Sequence, residues 1–173
     1  MIFGEGHPFA IEIGDQETYP GSPGIYVQFR FWINGTPIGD WDDRIPLVAS
    51  VEYASEICDT ESRRQYATFA PSTPDEVFQA TYDAFFSYDY TKEPIVDPNL
   101  RDTFHLDGIG MGAVQDKYGL VLVNSSDGRE RLIAKDLKQD CFIADVAVPL
   151  GSVETVLKEY VEWGRKALLA AGG

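Results

Sequence analysis

The sequence predicts an α+β fold, an antiparallel sheet of hairpins covered on one face by about three helices. Three observations predict it: a strand with strict two-residue alternation at residues 25–33, two short hairpin turns, and amphipathic helical segments in the middle and at the end. The chain has 173 residues, of which 44% are hydrophobic. This length and composition are typical of one globular domain, so residues 1–173 are expected to form a single domain with one core.

The first half of the chain contains the clearest strand. Residues 8–13 predict a short first strand, followed by a loop rich in proline and glycine. Residues 25–33 alternate so that every second side chain is apolar, which indicates one buried face and one amphipathic face. The apolar set is Ile25, Val27, Phe29, Phe31 and Ile33; the other set is Tyr26, Gln28, Arg30 and Trp32. Asn34-Gly35 then predicts a two-residue hairpin turn, because both central residues of such a turn adopt positive φ.

Two helices are expected in the middle of the chain. Pro46 is predicted to open the first, with Asp42 and Asp43 near its first turn, where the helix dipole favours carboxylates. Its apolar stripe is Leu47, Val48, Val51, Ala54 and Cys58. The second helix has a capping box of Thr73 and Glu76 around Pro74. Its buried stripe is Phe78, Thr81, Tyr82 and Phe85.

The second half of the chain predicts three further strands and a last helix. Residues 89–102 form a loop, and a strand begins near Thr103. Residues 118–124 and 129–135 flank a second hairpin turn, residues 141–148 form another strand, and Ser152 caps the final helix. The inward positions of that helix are Val153, Val156, Leu157, Tyr160, Gly164, Ala167 and Leu168. The glycines of residues 108–112 suggest a bend or bulge and not a phosphate-binding loop, because the next predicted element is a strand and not a helix.

The negative charge is concentrated in one part of the chain. Residues 1–107 contain 19 Asp and Glu against 6 Lys and Arg, whereas residues 108–173 contain 9 against 8. The electric field of such a negatively charged surface repels nucleic acid and anionic membranes, and it speeds the encounter with basic partners. The alternative interpretation is that the acidity serves solubility alone.

The sequence also predicts a cytoplasmic protein. The first residues lack the basic and long apolar segments of a secretory signal, and no apolar run is long enough to span a membrane. Cys58 and Cys141 lie far apart in apolar stretches, which is typical of reduced, buried thiols.

Signals for catalysis or metal binding are weak. No nucleophile elbow, zinc-protease motif or P-loop occurs. On a strand, His105 and Asp107 would point to the same face, so a His–Asp dyad is one hypothesis; a solvent-facing polar pair is the other. Asp40, Asp42 and Asp43 lack the further acceptors and terminal Glu of a calcium loop. We therefore expect no metal, no cofactor and no catalytic residues.

Four segments together resemble immunity protein family forty-two of bacterial polymorphic toxin systems. They are MIFGEGHPFAIEI at the start, FWINGTPIGDW in the first hairpin, RERLIAKDL, and DVAVPLGSVETVLKEYVEWG near the end. Residues 59–102 carry none of the resemblance. It implies a small cytoplasmic α+β protein, encoded beside a toxin, that binds the C-terminal toxin domain and blocks it. The resemblance brings no catalytic residues with it.

Two segments are then candidates for toxin contact. The first surrounds Trp41, a large aromatic residue among Asp40, Asp42 and Asp43, because aromatic side chains with charged neighbours are common in protein interfaces. The second is the loop that contains Asp89, Glu93, Asp97 and Asp102. A nuclease with a basic cleft is one class of toxin that suits an acidic inhibitor. The alternatives are a small intracellular enzyme that uses His105 with Asp107, and a regulatory binding module unconnected to toxins.

Overall fold

The computed structural model describes residues 1–5, 8–21, 24–60, 64, 69, 72–86, 103–124 and 127–172 and confirms the α+β class. In these residues the strands are β1 (Ile2–Gly4), β2 (Phe9–Thr18), β3 (Ile25–Ile33), β4 (Thr36–Ile38), β5 (Arg44–Pro46), β6 (Tyr118–Asn124), β7 (Arg129–Asp136) and β8 (Cys141–Pro149). The α-helices are α1 (Leu47–Asp59), α2 (Pro74–Phe86), α3 (Met111–Val114) and α4 (Ser152–Ala170). None of these helices has the length and apolar character needed to cross a membrane.

The strands form two antiparallel sheets and not the single sheet that the sequence suggested. One has the order β1-β2-β3-β4, with β5 also paired to β3, and the other has the order β6-β7-β8. The centre of the first sheet is β3, and its predicted alternation is confirmed, since all five apolar side chains are buried. The predicted turn is confirmed too, because Asn34 and Gly35 have φ of 51° and 78° and Ile33 pairs with Thr36.

Helices α1 and α4 pack on the inner face of the five-stranded sheet. The Phe29 ring of β3 lies 5.9 Å from the Tyr160 ring of α4, and Ser50 of α1 shares a 2.7 Å hydrogen bond with the Tyr160 hydroxyl. The two helices approach closely at Gly164, where a Cβ atom would lie 2.3 Å from Val51 Cγ2. This packing directs the other face of β3 away from the helices.

The three-stranded sheet is covered on both faces. Leu120 and Leu122 of β6 belong to the main apolar cluster, whereas Val121 and Val123 belong to a second cluster with Phe78 of α2. The expected single core is therefore divided in two. The capping box at the start of α2 is confirmed by the bonds from Thr73 N to Glu76 Oε2 (2.7 Å) and from Glu76 N to Thr73 Oγ1 (3.3 Å).

Several predictions for the first half were wrong in detail. The sequence did not predict β1, and β2 continues to Thr18 through an irregularity between Ile13 and Gln16. Asp42 and Asp43 do not open α1, because β5 intervenes and Pro46 is the residue before the helix. Val48, expected in the buried stripe, is 46% exposed.

Predictions around Thr103 and Ser152 were also wrong. Instead of a strand near Thr103, the chain forms one bridge between His105 and Val121, followed by a 3-10 helix at Asp107–Gly110 and then α3, so the glycine-rich segment is helical. Only glycine fits at position 108, because a Cβ atom there would lie 2.4 Å from the Tyr53 ring and would clash with it. Gly151, with φ of 82°, precedes α4 in place of the Ser152 cap.

The cysteine prediction holds only in part, and some predicted residues cannot be compared. Both cysteines are free thiols, but Cys58 is half-buried and Cys141 is exposed, whereas burial was expected for both. The side chain of Phe85 and the predicted loop at residues 89–102 lie outside the described residues.

A buried ion pair joins elements that are distant in the sequence. Arg64 and Glu154 are both fully buried and in direct contact. Arg64 Nη1 also donates to the carbonyl of Ile57 at 2.7 Å, and the Arg64 carbonyl accepts from Asn124 N at 2.9 Å. Buried Glu130 of β7 accepts from Gly151 N and Val153 N at the start of α4. These contacts hold the end of α1, the end of β6 and the start of α4 together.

We predict that Arg64→Met lowers the free energy of unfolding by about 3–5 kcal/mol, because Glu154 then remains buried without its cation. Replacing both residues by methionine should restore most of the loss, since an apolar pair carries no desolvation penalty. Urea unfolding measures both. The control is Lys166→Met, which breaks an exposed pair with Glu162 of 2.6 Å and should leave the free energy of unfolding almost unchanged. Equal losses for Arg64→Met and Lys166→Met would contradict the prediction.

Candidate functional site

The candidate site is the face of the five-stranded sheet that points away from α1 and α4, here called the outer face. Its residues are Glu12 of β2, Tyr26, Gln28, Arg30 and Trp32 of β3, Arg44 of β5, and Trp41. All of these side chains are partly exposed. The alternation of β3 creates this face, because the residues between the buried ones must point to the opposite side.

Arg30 organises two tryptophans on the outer face. Its guanidinium lies 4.8 Å from the ring centroid of Trp32 and 4.3 Å from that of Trp41, within the range of cation–π attraction. Glu12 Oε2 accepts from Arg30 Nε at 2.6 Å and from Trp32 Nε1 at 2.7 Å. Partial burial favours a higher pKa for Glu12, but the hydrogen bonds from Arg30 and Trp32 outweigh it, so the pKa is lowered.

Gln28 and Gly14 fix the position of Trp41. Gln28 Oε1 accepts from Asp15 N, and Gln28 Nε2 donates to the Trp41 carbonyl, both at 3.0 Å. A Cβ atom at Gly14 would lie 2.8 Å from Trp41 Cζ2 and 2.3 Å from Gln28 Oε1, so the indole occupies space that only glycine leaves free. Trp41 is therefore seated on the sheet by packing and by a hydrogen bond to its backbone.

The segment Asp40, Trp41, Asp42 and Asp43, here called the acidic turn, is partly neutralised by a distant lysine. Lys117 Nζ lies 2.6 Å from Asp40 Oδ2 and 3.6 Å from Asp43 Oδ2. The hydrogen bond from Lys117 and that from the Asp42 backbone N–H lower the pKa of Asp40, and the bond to Asp40 raises the pKa of Lys117. Asp42 is exposed, and its carboxylate has no partner in the described part of the chain.

A second group of side chains extends the outer face towards the end of β2. Glu17 Oε1 accepts from Arg44 Nη2 at 3.1 Å, and Glu17 Oε2 accepts from the Tyr19 hydroxyl at 2.9 Å. The bonds from Tyr19 and Arg44 lower the pKa of Glu17. The Tyr19 ring packs edge-on against Tyr26 at 5.1 Å. The sequence did not predict this group, because residues 15–24 were assigned to a loop.

His105 and Asp107 do come together, but in the interior. His105 Nδ1 lies 3.6 Å from Asp107 Oδ1, and both residues are buried, so the solvent-facing interpretation was wrong. Asp107 Oδ1 accepts from Leu120 N at 3.1 Å, and His105 Nε2 lies 3.3 Å from the carbonyl of Thr81. Beside them, burial raises the pKa of the Tyr82 phenol. The pair connects α2 to β6 and lies in the interior.

The remaining predicted residues do not extend the site. Asp89, Glu93, Asp97 and Asp102 lie outside the described residues. Among the residues that the structure does describe, no group of three His, Cys, Asp or Glu side chains is arranged to hold a metal ion.

We predict that the Trp32 indole N–H resonance in NMR spectra shifts on acidification with a midpoint below pH 4.5, the ordinary pKa of Glu. A carboxyl group with a lowered pKa contributes stability above its unfolded-state pKa, and this contribution is lost as the pH falls through the folded-state pKa. Glu12→Gln should abolish the shift. Trp163, which packs against Phe3 and Tyr160, is the internal control. A midpoint at or above 4.5 would contradict the prediction.

Comparison with known proteins identifies a solved structure with the same fold. It is the crystal structure of CdiI from Burkholderia dolosa AUO158, with a TM-score of 0.69 and 15% sequence identity over 94% of this chain and 99% of that one. No curated protein matches the sequence. The sequence model of the family described as immunity protein 42 matches residues 1–163. Because this match spans most of the chain, the protein belongs to the immunity protein 42 family.

Proposed function

We propose that this immunity protein neutralises its cognate toxin by covering a basic surface of the toxin's C-terminal domain with the outer face and the acidic turn. Membership of the immunity protein 42 family makes toxin neutralisation the function and a toxin protein the partner. The structure of CdiI has the same fold. The proposal adds the surface, the toxin domain and the cytoplasm of the producing cell as the place of action.

The observation that carries the proposal is the composition of the outer face. Tryptophan, tyrosine and arginine are the side chains that contribute most to protein–protein affinity, and all three lie together here, partly exposed. Carboxylates surround them. Asp15 and Asp42 are exposed and have no charged partner in the described residues. A surface of this kind suits a basic partner that brings its own cations to these carboxylates.

The charge distribution supports a basic partner as well. Residues 1–46, which contain every strand of the five-stranded sheet, hold 7 Asp and Glu against 2 Lys and Arg. Carboxylates at the rim of an interface raise the association rate by steering a positive partner, as the basic substrate cleft of a nuclease would be steered. Occupying such a cleft would stop the toxin without chemistry. We therefore propose that the protein is an inhibitor and not an enzyme, in keeping with the burial of His105 and Asp107.

The loop at residues 89–102 stays a prediction from the sequence as a second contact segment. Its Asp89, Glu93, Asp97 and Asp102 would enlarge the acidic surface if the loop lies beside the outer face.

We predict that Asp42→Lys with Asp43→Lys slows association with the toxin domain encoded beside the gene by about tenfold and flattens its salt dependence. The physical reason is that rim charges act mainly on the diffusional approach of the partner. Stopped-flow association at low and moderate salt measures both quantities. The matched control is Glu52→Lys with Glu56→Lys, an equal change of charge on exposed residues of α1.

The two double variants separate local charge from net charge. Slowing by the acidic-turn variant alone supports the proposed surface. Equal slowing by both would mean that the toxin senses only the overall charge, and no slowing by the acidic-turn variant would place the interface elsewhere.

A further inference from the structure

We infer that the toxin binds to the apolar part of the outer face, here called the aromatic anchor. The aromatic anchor consists of Trp32 at its centre, the neighbouring Ala10 and Pro37, and Ile2. The acidic turn then forms one rim of this surface. The inference rests on the proposed function, because its occupant is the toxin. It goes beyond that proposal by separating the residues that hold the complex together from those that speed its formation.

The apolar side chains of the aromatic anchor lie in two rows of the sheet. Trp32 pairs with Ala10 of β2 on one side and with Pro37 of β4 on the other, so its indole lies between two small apolar neighbours. In the next row, Ile2 of β1 pairs with Glu12 and is 55% exposed. In this register Glu12 lies between Ile2 and Trp32, and the described helices leave both apolar side chains open, since α1 and α4 pack on the other face.

The anchor is held in place before any partner arrives. Trp32 is fixed by its hydrogen bond to Glu12 and by the guanidinium of Arg30, which also lies over Trp41. Side chains that are already ordered lose little conformational entropy on binding, so more of their contact energy appears as affinity. Rigid aromatic side chains surrounded by polar neighbours are typical of the centres of energetically important contacts.

The charges around the anchor identify its occupant as a basic protein surface. The face is bordered by four carboxylates, those of Glu12, Asp15, Glu17 and Asp42. Of these, only Glu12 and Glu17 are paired with arginines of the same face. A second copy of this chain is a poor occupant, because its own acidic rim would meet this one and like charges oppose association. A partner that has exposed Lys and Arg around an apolar patch can pack the patch against the aromatic anchor and pair its cations with the carboxylates of the rim.

The dimensions of the face can be compared with those of an ordinary interface. Strand β3 has nine residues, so it is about 30 Å long, and β1 to β4 together are roughly 14 Å wide at the usual strand spacing. This outline, about 400 Å², is about half of the roughly 800 Å² that each partner contributes to an ordinary specific interface, so the acidic turn and neighbouring surface would supply the rest.

The test is the kinetics of toxin binding by two variants with matched controls. Trp32→Ala should raise the dissociation rate by about 30-fold and leave the association rate and its salt dependence unchanged, because truncation of an interface centre acts on dissociation. Phe142→Ala, an aromatic truncation at a 36% exposed position of β8, should leave both rates within about twofold. Circular dichroism and urea unfolding establish that each variant is folded.

A second variant avoids any loss of packing on the sheet. Ile2→Lys adds one positive charge at a largely exposed position of the anchor, so the fold should tolerate it while toxin affinity falls at least about tenfold. The matched control is Val48→Lys, the same change at a 46% exposed position of α1, which should leave affinity unchanged.

The outcomes distinguish this inference from the proposed function. If the native chain binds the toxin and both anchor variants bind as tightly as their controls, the anchor is wrong and the immunity function stands. If the native chain does not bind the folded toxin, the proposed toxin partner is wrong, and the inferred role of the aromatic anchor is then wrong as well. Faster dissociation confined to the anchor variants establishes the inference.

Discussion

The two-residue alternation of β3 is the constraint on which the core and the candidate site both depend. Its buried side chains form the centre of the main apolar cluster with α1 and α4, and its other side chains form the outer face. A shift of one residue in the pairing of β3 would place Trp32 and Arg30 in the core and Phe31 in water. Burial of five apolar residues therefore also determines where the aromatic side chains of the outer face must point.

The electrostatics of the outer face depend on contacts between distant parts of the chain. Arg30, Arg44 and Lys117 pair with Glu12, Glu17 and Asp40. Together with hydrogen bonds from Tyr19 to Glu17 and from Trp32 to Glu12, these pairs lower the pKa of the three carboxyl groups. These pairs order the surface, whereas the carboxylates of Asp15 and Asp42 remain available to a partner's cations. In the mechanism that we propose, the ordered aromatic residues keep the complex together and the available charges speed the approach of the partner.

Local patterns predicted much of the fold. The alternation of β3, the Asn34-Gly35 turn and the capping box of α2 each depend on neighbouring residues, and the structure has all three. The errors arose where tertiary contacts override local preference: β5 forms because Ile45 pairs with Val27, and Gly108 lies in a 3-10 helix packed against Tyr53. For the site, Trp41 and its carboxylates were found from the sequence, but Lys117 is 77 residues from Asp40, and no local pattern connects them.

Hydrogen exchange of the backbone amides, with and without the toxin domain, tests the central claim that the outer face is the toxin-binding surface. The account predicts that bound toxin slows exchange in the acidic turn, β4 and β5, and leaves the exposed parts of α1 and of β8 unchanged. Protection confined to α1, α4 or β8, with unaltered exchange around Trp41, would contradict it, because the toxin would then bind a different surface of the protein.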